Sequence, residues 1–119
     1  METKQIAARL KELCDRGEFE AALNELFAPD AVSIEPFAAN GFEKETRGLP
    51  AIRKKGELWN SMVEEFHGAS ISEPIVATGS FALSMNIEVT MKGRGRTSMT
   101  EICIYKVKDG KIISEEFIM

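Results

Sequence analysis

Phe27-Ala28-Pro29-Asp30-Ala31-Val32-Ser33-Ile34-Glu35-Pro36 is where the chain changes character. Upstream of it the apolar residues recur with helical spacing, and beyond residue 68 they recur with a period of two. The stretch itself reads as a helix exit, a break at Pro29, and a short strand over 31–36. The residue before a proline is pushed out of the α region, so Pro29 is expected to end the preceding helix. In the strand, Val32 and Ile34 share one face, and Ser33 and Glu35 share the other. A carboxylate is thereby delivered at the end of a strand, and Glu35 becomes the first candidate for chemistry.

Outward toward the N-terminus, residues 3–16 and 18–27 read as two helices. Ile6, Leu10, Leu13 and Cys14 make the apolar stripe of the first. Thr3 stands where an N-cap is wanted, and Gly17 where a helix end tolerates positive φ. The second carries Phe19, Ala22, Leu23, Leu26 and Phe27 on one stripe. Toward the C-terminus, residues 37–48 read as a loop containing Asn40-Gly41, long enough to form a flap. Pro50 then opens a third helix reaching about Phe66, with Ile52, Trp59, Met62, Val63 and Phe66 as its buried stripe. Gly56 falls on that stripe. It marks either the close approach of another backbone or room left for a ligand.

Four strands follow. Ala69 to Ala77 contains Pro74, which argues for an edge or a bulge. Phe81 to Thr90 alternates without a fault, and so does Thr97 to Lys108, where Met99, Glu101, Cys103, Tyr105 and Val107 share a face. Asp109-Gly110 signals a hairpin into a last strand over 111–119. The order predicts an α+β fold of one domain, residues 1–119: three N-terminal helices packed on a curved antiparallel sheet, a cone enclosing a pocket. The opposite sheet face carries Ile102 and Ile104, for which a homodimer would provide cover.

Composition narrows the function classes. A chain of 119 residues with 44% apolar and 29% charged content suits one globular domain with a genuine core. A net charge of −4 gives no pull toward nucleic acid or anionic membranes. Cys14 and Cys103 are far apart and read as free thiols of a reduced compartment. No signal peptide or membrane span is visible, so a cytoplasmic protein is expected. A single histidine rules out a multi-histidine metal site, and no phosphate loop, dinucleotide fingerprint or serine elbow is present. No metal and no cofactor are expected.

The ordered set Gly17-Glu18-Phe19-Glu20-Ala21-Ala22, Leu26-Phe27-Ala28-Pro29-Asp30-Ala31-Val32, Glu35-Pro36, Arg47-Gly48-Leu49-Pro50-Ala51-Ile52 and Tyr105-Lys106-Val107-Lys108-Asp109-Gly110-Lys111-Ile112 resembles the nuclear-transport-factor-2-like superfamily. More narrowly, it resembles the SnoaL-like polyketide cyclase and ketosteroid isomerase branch. The resemblance spans nearly the whole chain and implies the cone-shaped fold. It also implies that Glu35, just before Pro36, occupies the position of the isomerases' catalytic base. The positions of their oxyanion-hole tyrosine and aspartate align with Leu10 and Cys103, which argues against steroid isomerisation.

Three residues are therefore catalytic candidates, each with a plain alternative. Glu35 would be a base, or a rim residue that is solvated or paired with Arg53. Glu101 would be an acid in an apolar cavity, or an edge or interface residue. His67 would be an alternative acid, or a polar contact at the third helix's C-terminus. Of Glu115 and Glu116, one points inward. Trp59, Met85, Ile87, Met99, Cys103, Tyr105 and Phe117 are candidate pocket residues. The resulting expectation is a cofactor-free acid/base enzyme of isomerase, cyclase or dehydratase type, acting on a small apolar carbonyl or polyketide-like compound. The alternative is a dimeric module that binds a small hydrophobic ligand without transforming it.

Overall fold

The computed structural model describes residues 1–39 and 41–119; the loop signal at Asn40 lies outside the described residues. Helix α1 (Thr3–Asp15) buries Ile6, Ala7, Leu10, Leu13 and Cys14. The capping differs from expectation. Glu2 is the N-cap, with its N–H donated to Gln5 Oε1 at 2.9 Å. Thr3 instead donates its hydroxyl to the carbonyl of Thr78 at 2.8 Å, tying the helix start to a distant turn. Helix α2 (Phe19–Leu26) runs directly into strand β1 (Phe27–Ile34). Pro29 therefore does not stop the helix but lies inside β1. It sits in the irregular stretch between Phe27 and Val32, where pairing with the last strand lapses and a missing N–H costs no ladder bond.

The loop expected over 37–48 contains strand β2 (Glu45–Arg47), paired with β1, and an isolated bridge between Ala39 and Phe42. Helix α3 (Leu49–Met62) is shorter than its apolar spacing suggests, because Val63 to Ile71 form strand β3. The spacing misleads for a physical reason. A register shift between Val63 and Glu65 lets Val63 oppose Met91 and Phe66 oppose Val89. Residues three apart thus share a strand face, which a regular strand forbids, and the bulge gives the sequence the spacing of a helix.

Pro74 separates β3 from the short β4 (Ile75–Val76), so the single strand expected over 69–77 is two. The long strands β5 (Ser80–Met91) and β6 (Gly95–Lys108) pair along their length. Asp109 and Gly110 both take positive φ and turn β6 into β7 (Lys111–Ile118). The sheet runs β2-β1-β7-β6-β5-β3, with β4 also on β5. It is curved and open, and mixed rather than wholly antiparallel, because β1 and β7 run parallel. That parallel pairing sets Ser33 beside Glu115 and Ile34 beside Glu116.

The inner sheet face carries Phe81, Leu83, Met85 and Val89 of β5, and Cys103 and Tyr105 of β6, all buried. With the α1 stripe they form one core, in which Tyr105 stacks on Phe81 with ring centroids 4.9 Å apart. The outer face leaves Ile102 at 51% and Ile118 at 41% exposure, directly opposite each other. Among the described residues no helix is long and apolar enough to cross a membrane.

Candidate functional site

Helix α3 buries only Leu49 and Ile52, both in its first turn. Its later half stands off the sheet: Trp59 and Met62 are half-buried, and Phe66 beyond it is 45% exposed. Among the described residues, a Cβ built on Gly56 meets no atom within 4 Å. The glycine therefore marks open space beside the helix and not the close approach of a backbone. Below the same region lies a cavity of about 250 Å³ lined by Gly17, Phe19, Trp59, Asn60, Val63, Phe66 and Ile87. Phe19 and Phe66 meet edge to face at 6.3 Å in its wall. A larger groove of about 500 Å³ lies elsewhere, between the N-terminus and the Asp109-Gly110 turn, and touches none of the candidate residues.

Deeper along the inner face is a cluster of polar groups. Ser33 of β1 and Glu115 of β7 are both buried, and the Ser33 hydroxyl donates to Glu115 Oε2 at 2.7 Å. Lys55 reaches down from α3 and donates to Ser33 Oγ and, at 2.9 Å, to Glu35 Oε2. The pair is sheltered, with side-chain exposures of 14% for Lys55 and 24% for Glu35. The Lys55 ammonium also lies 5.5 Å from the centroid of the Phe117 ring, a cation–π geometry. Glu35 is thus paired, but with Lys55. Arg53 turns the other way and donates to Asn24 Oδ1.

Glu101 stands opposite Met85 on the inner face, two residues along β6 from Cys103. Burial, reinforced by the nearby Glu35 and Glu115 carboxylates and opposed by Lys55, pushes its carboxyl up to about 7. Burial also raises Glu115, while the Ser33 hydroxyl and Lys55 pull it back and Glu35 adds to the rise. Three acids thus surround one cation, and two of the three hold their protons more tightly than a free glutamate. The cluster lies one inward pair along the strands from the cavity wall: Ile87 of the wall opposes Met99, and the next inward pair is Met85 with Glu101. Among the described residues no group of three or more His, Cys, Asp and Glu could hold a metal ion.

Of the candidate residues, Glu35 and Glu101 come together in this cluster, and His67 does not. It is the extra residue of a bulge between Phe66 and Gly68 in β3, not a residue at the end of α3. Its Nε2 meets Thr90 Oγ1 at 2.6 Å and its Nδ1 meets Glu65 Oε2 at 3.1 Å. Thr90 alternates with the buried Val89, which puts that contact on the outer side of the sheet. Of the pair at the end of β7, Glu115 is the inward residue and Glu116 is exposed. Trp59 and Ile87 line the cavity. Met99 and Phe117 are half-buried, and Met85, Cys103 and Tyr105 belong to the packed core. Burial pushes the Cys103 thiol upward and so away from thiolate chemistry. Lys55 and Ser33 were not singled out by sequence reasoning. The signal was there: Lys55 lies three residues after Ile52 and four before Trp59, on the inward stripe of α3.

Solved structures share this architecture. A protein from Mesorhizobium loti assigned as a SnoaL-like polyketide cyclase superposes with a TM-score of 0.90 at 35% identity, covering 100% of both chains. TerC, co-crystallised with polyporic acid, superposes with a TM-score of 0.78 at 16% identity over 97% of this chain and 88% of its own. A protein of ketosteroid isomerase-like fold from Catenulispora acidiphila, in complex with trimethylamine, gives 0.75 at 16% identity over 98% and 86%. These last two show likeness of fold alone. No curated protein matches the sequence. The sequence matches the SnoaL-like domain over residues 1–119, and the chain belongs to that family.

Proposed function

We propose that this protein is a cofactor-free acid/base catalyst that moves a proton on a small, mostly apolar carbonyl compound of polyketide type. The observation that carries the reading is the Glu101 carboxyl, inward-facing and pushed up to about 7. A group that titrates near the working pH both takes and returns a proton efficiently. The roles shift accordingly. Glu101 is the proton carrier, Glu35 orients Lys55, and His67 on the other side of the sheet takes no part. The cavity of about 250 Å³ falls below the roughly 300–1,000 Å³ of drug-sized sites, which favours a small substrate. Relatives of the same fold that hold polyporic acid and trimethylamine support a small-molecule role. We further propose that two copies associate through the outer sheet face, where Ile102 and Ile118 are exposed.

The test is proton exchange. A panel of small ketones and 1,3-diketones is incubated in D₂O and followed by proton NMR. The wild-type protein is expected to accelerate loss of α-proton signal, and Glu101→Gln to slow it about 10²-fold or more. Equal rates for the two would reject the mechanism. The second reading, a binding module, is favoured by the buried Leu10 and Cys103 at the positions of the isomerases' oxyanion donors. A compound that copurifies and stays unchanged on prolonged incubation would support it.

A further inference from the structure

We propose that the Lys55 ammonium is the electrophile of this site: it binds the substrate's carbonyl oxygen as negative charge develops there. This makes the substrate a neutral, enolisable carbonyl compound and not a preformed anion. The inference rests on the acid/base reading above and extends it to a residue that supplies what Leu10 and Cys103 cannot.

A lysine ammonium has three N–H groups. Two are taken, by Ser33 Oγ and Glu35 Oε2, and among the described residues no third acceptor meets Lys55. The head group is held from behind. Glu115 accepts from the Ser33 hydroxyl, which leaves the Ser33 oxygen lone pairs for Lys55. Phe117 supports it from the side. A donor fixed before the reaction costs no reorganisation when charge appears, and that is the property that makes an oxyanion site effective. On the same helix, Gly56 leaves open space beside Lys55, and Trp59 stands one turn further on in the cavity wall. Lys55 thus precedes the cavity-lining Trp59 by one helical turn, so a flat carbonyl compound resting against Trp59 would approach the ammonium along the same face of the helix.

The charge around Lys55 selects the substrate. Glu35, Glu101 and Glu115 all act on this region. A carboxylate or phosphate ligand would enter against the Glu35 carboxylate and beside two buried carboxyls, Glu101 and Glu115, that are already disfavoured as anions. A neutral ketone would not, and it acquires its charge only after binding. In the step itself, the Cα–H bond breaks and the proton goes to the Glu101 carboxylate. The C–H electron pair becomes the C=C bond, and the carbonyl π pair moves to oxygen as an enolate facing Lys55. In the reverse sense the enolate oxygen pair re-forms the C=O bond and the C=C pair takes the proton from Glu101, at the same α-carbon for exchange or, where the substrate is conjugated, at the γ-carbon for isomerisation. Either way the carboxylate is regenerated and no co-reactant is needed.

The test uses 4-nitrophenol as a neutral acid whose anion mimics an enolate. Binding is read by quenching of Trp59, the only tryptophan, and ionisation of the bound probe by its visible absorbance against pH. Lys55→Met is expected to raise the pKa of the bound phenol by about 1–3 relative to wild type, while Lys55→Arg keeps most of the wild-type value. Where Lys55→Met does not fold, Glu35→Gln/Lys55→Met replaces it and is compared with Glu35→Gln alone, so that only the lysine's charge differs within the pair. Probe that binds with the same pKa in all these proteins overturns the role of Lys55 and leaves the Glu101 exchange assay standing. A wild-type protein whose Trp59 the probe never quenches overturns the site itself, and this inference with it.

Discussion

Two helices lie on the inner face of one sheet, and they do opposite things there. Helix α1 turns Ile6, Leu10, Leu13 and Cys14 inward and seals its end of the face into a core with Phe81, Leu83 and Tyr105. Helix α3 seals only its first turn and then brings Lys55, an empty position at Gly56, and Trp59. Beneath α1 the inward residues pack into one apolar core, with the buried Glu115 at its border, near enough to act on Cys14. Beneath α3 lie Ser33, Glu35, Glu101 and Glu115. The packed core and the polar cluster meet along the sheet, where Tyr105 of the one pairs with Glu115 of the other. A small domain can keep a polar, partly open region when a separate dry core carries its stability.

The comparison can be broken at either end, and the largest effect is expected in the dry half. Leu10→Ala should destabilise the fold by about 2–5 kcal/mol, the cost of an unfilled core cavity, measured by chemical denaturation. A smaller loss would mean that α1 is not the sealed side. The next effect concerns pH. The folded chain holds the Glu101 proton more tightly than the unfolded chain, whose carboxyl titrates near 4.5. Stability should therefore fall as pH rises from about 4.5 to about 7 and then level off. Glu101→Gln should remove that slope and be more stable above pH 7, by at most about 3 kcal/mol. Burial of Glu115 acts with the same sign, so a shallow slope should remain in the variant. Thermal melts across the pH series check both.

The smallest effect is the most discriminating. Gly56→Ala should stabilise the protein by about 0.5–1 kcal/mol, because alanine favours the helix and its methyl meets none of the described residues. The same methyl should weaken quenching of Trp59 by a small phenol, because it fills space beside the cavity. Stabilisation with undiminished binding would separate that space from the site.

Much of the fold was legible in the residues. The period-two runs of β5 and β6 placed Glu101, Cys103 and Tyr105 on one face, and they are there. Asp109-Gly110 made the turn that its chemistry demands. What misled was local. Val63 and Phe66 kept a helix-like spacing in a bulged strand, and this moved His67 from a helix end to a bulge contacting the outer side of the sheet. Pro29 looked like a helix stop but needed only a gap in strand pairing. The site was legible only in part, because its geometry depends on β1 and β7 running parallel. That pairing puts Ser33 beside Glu115 across 82 residues of chain. Nothing in a single strand's alternation announces which distant strand it will join. Lys55 was hidden in a run of three basic residues that reads as a solvated surface.

The central claim is that Glu101 is a desolvated acid poised near neutrality on the inner face of the sheet. The direct test is its side-chain carboxyl carbon chemical shift, followed by NMR through a pH titration and assigned with Glu101→Gln. The account predicts a midpoint of about 7. A midpoint near the ordinary 4.5 of a glutamate would mean a solvated carboxylate and would contradict it.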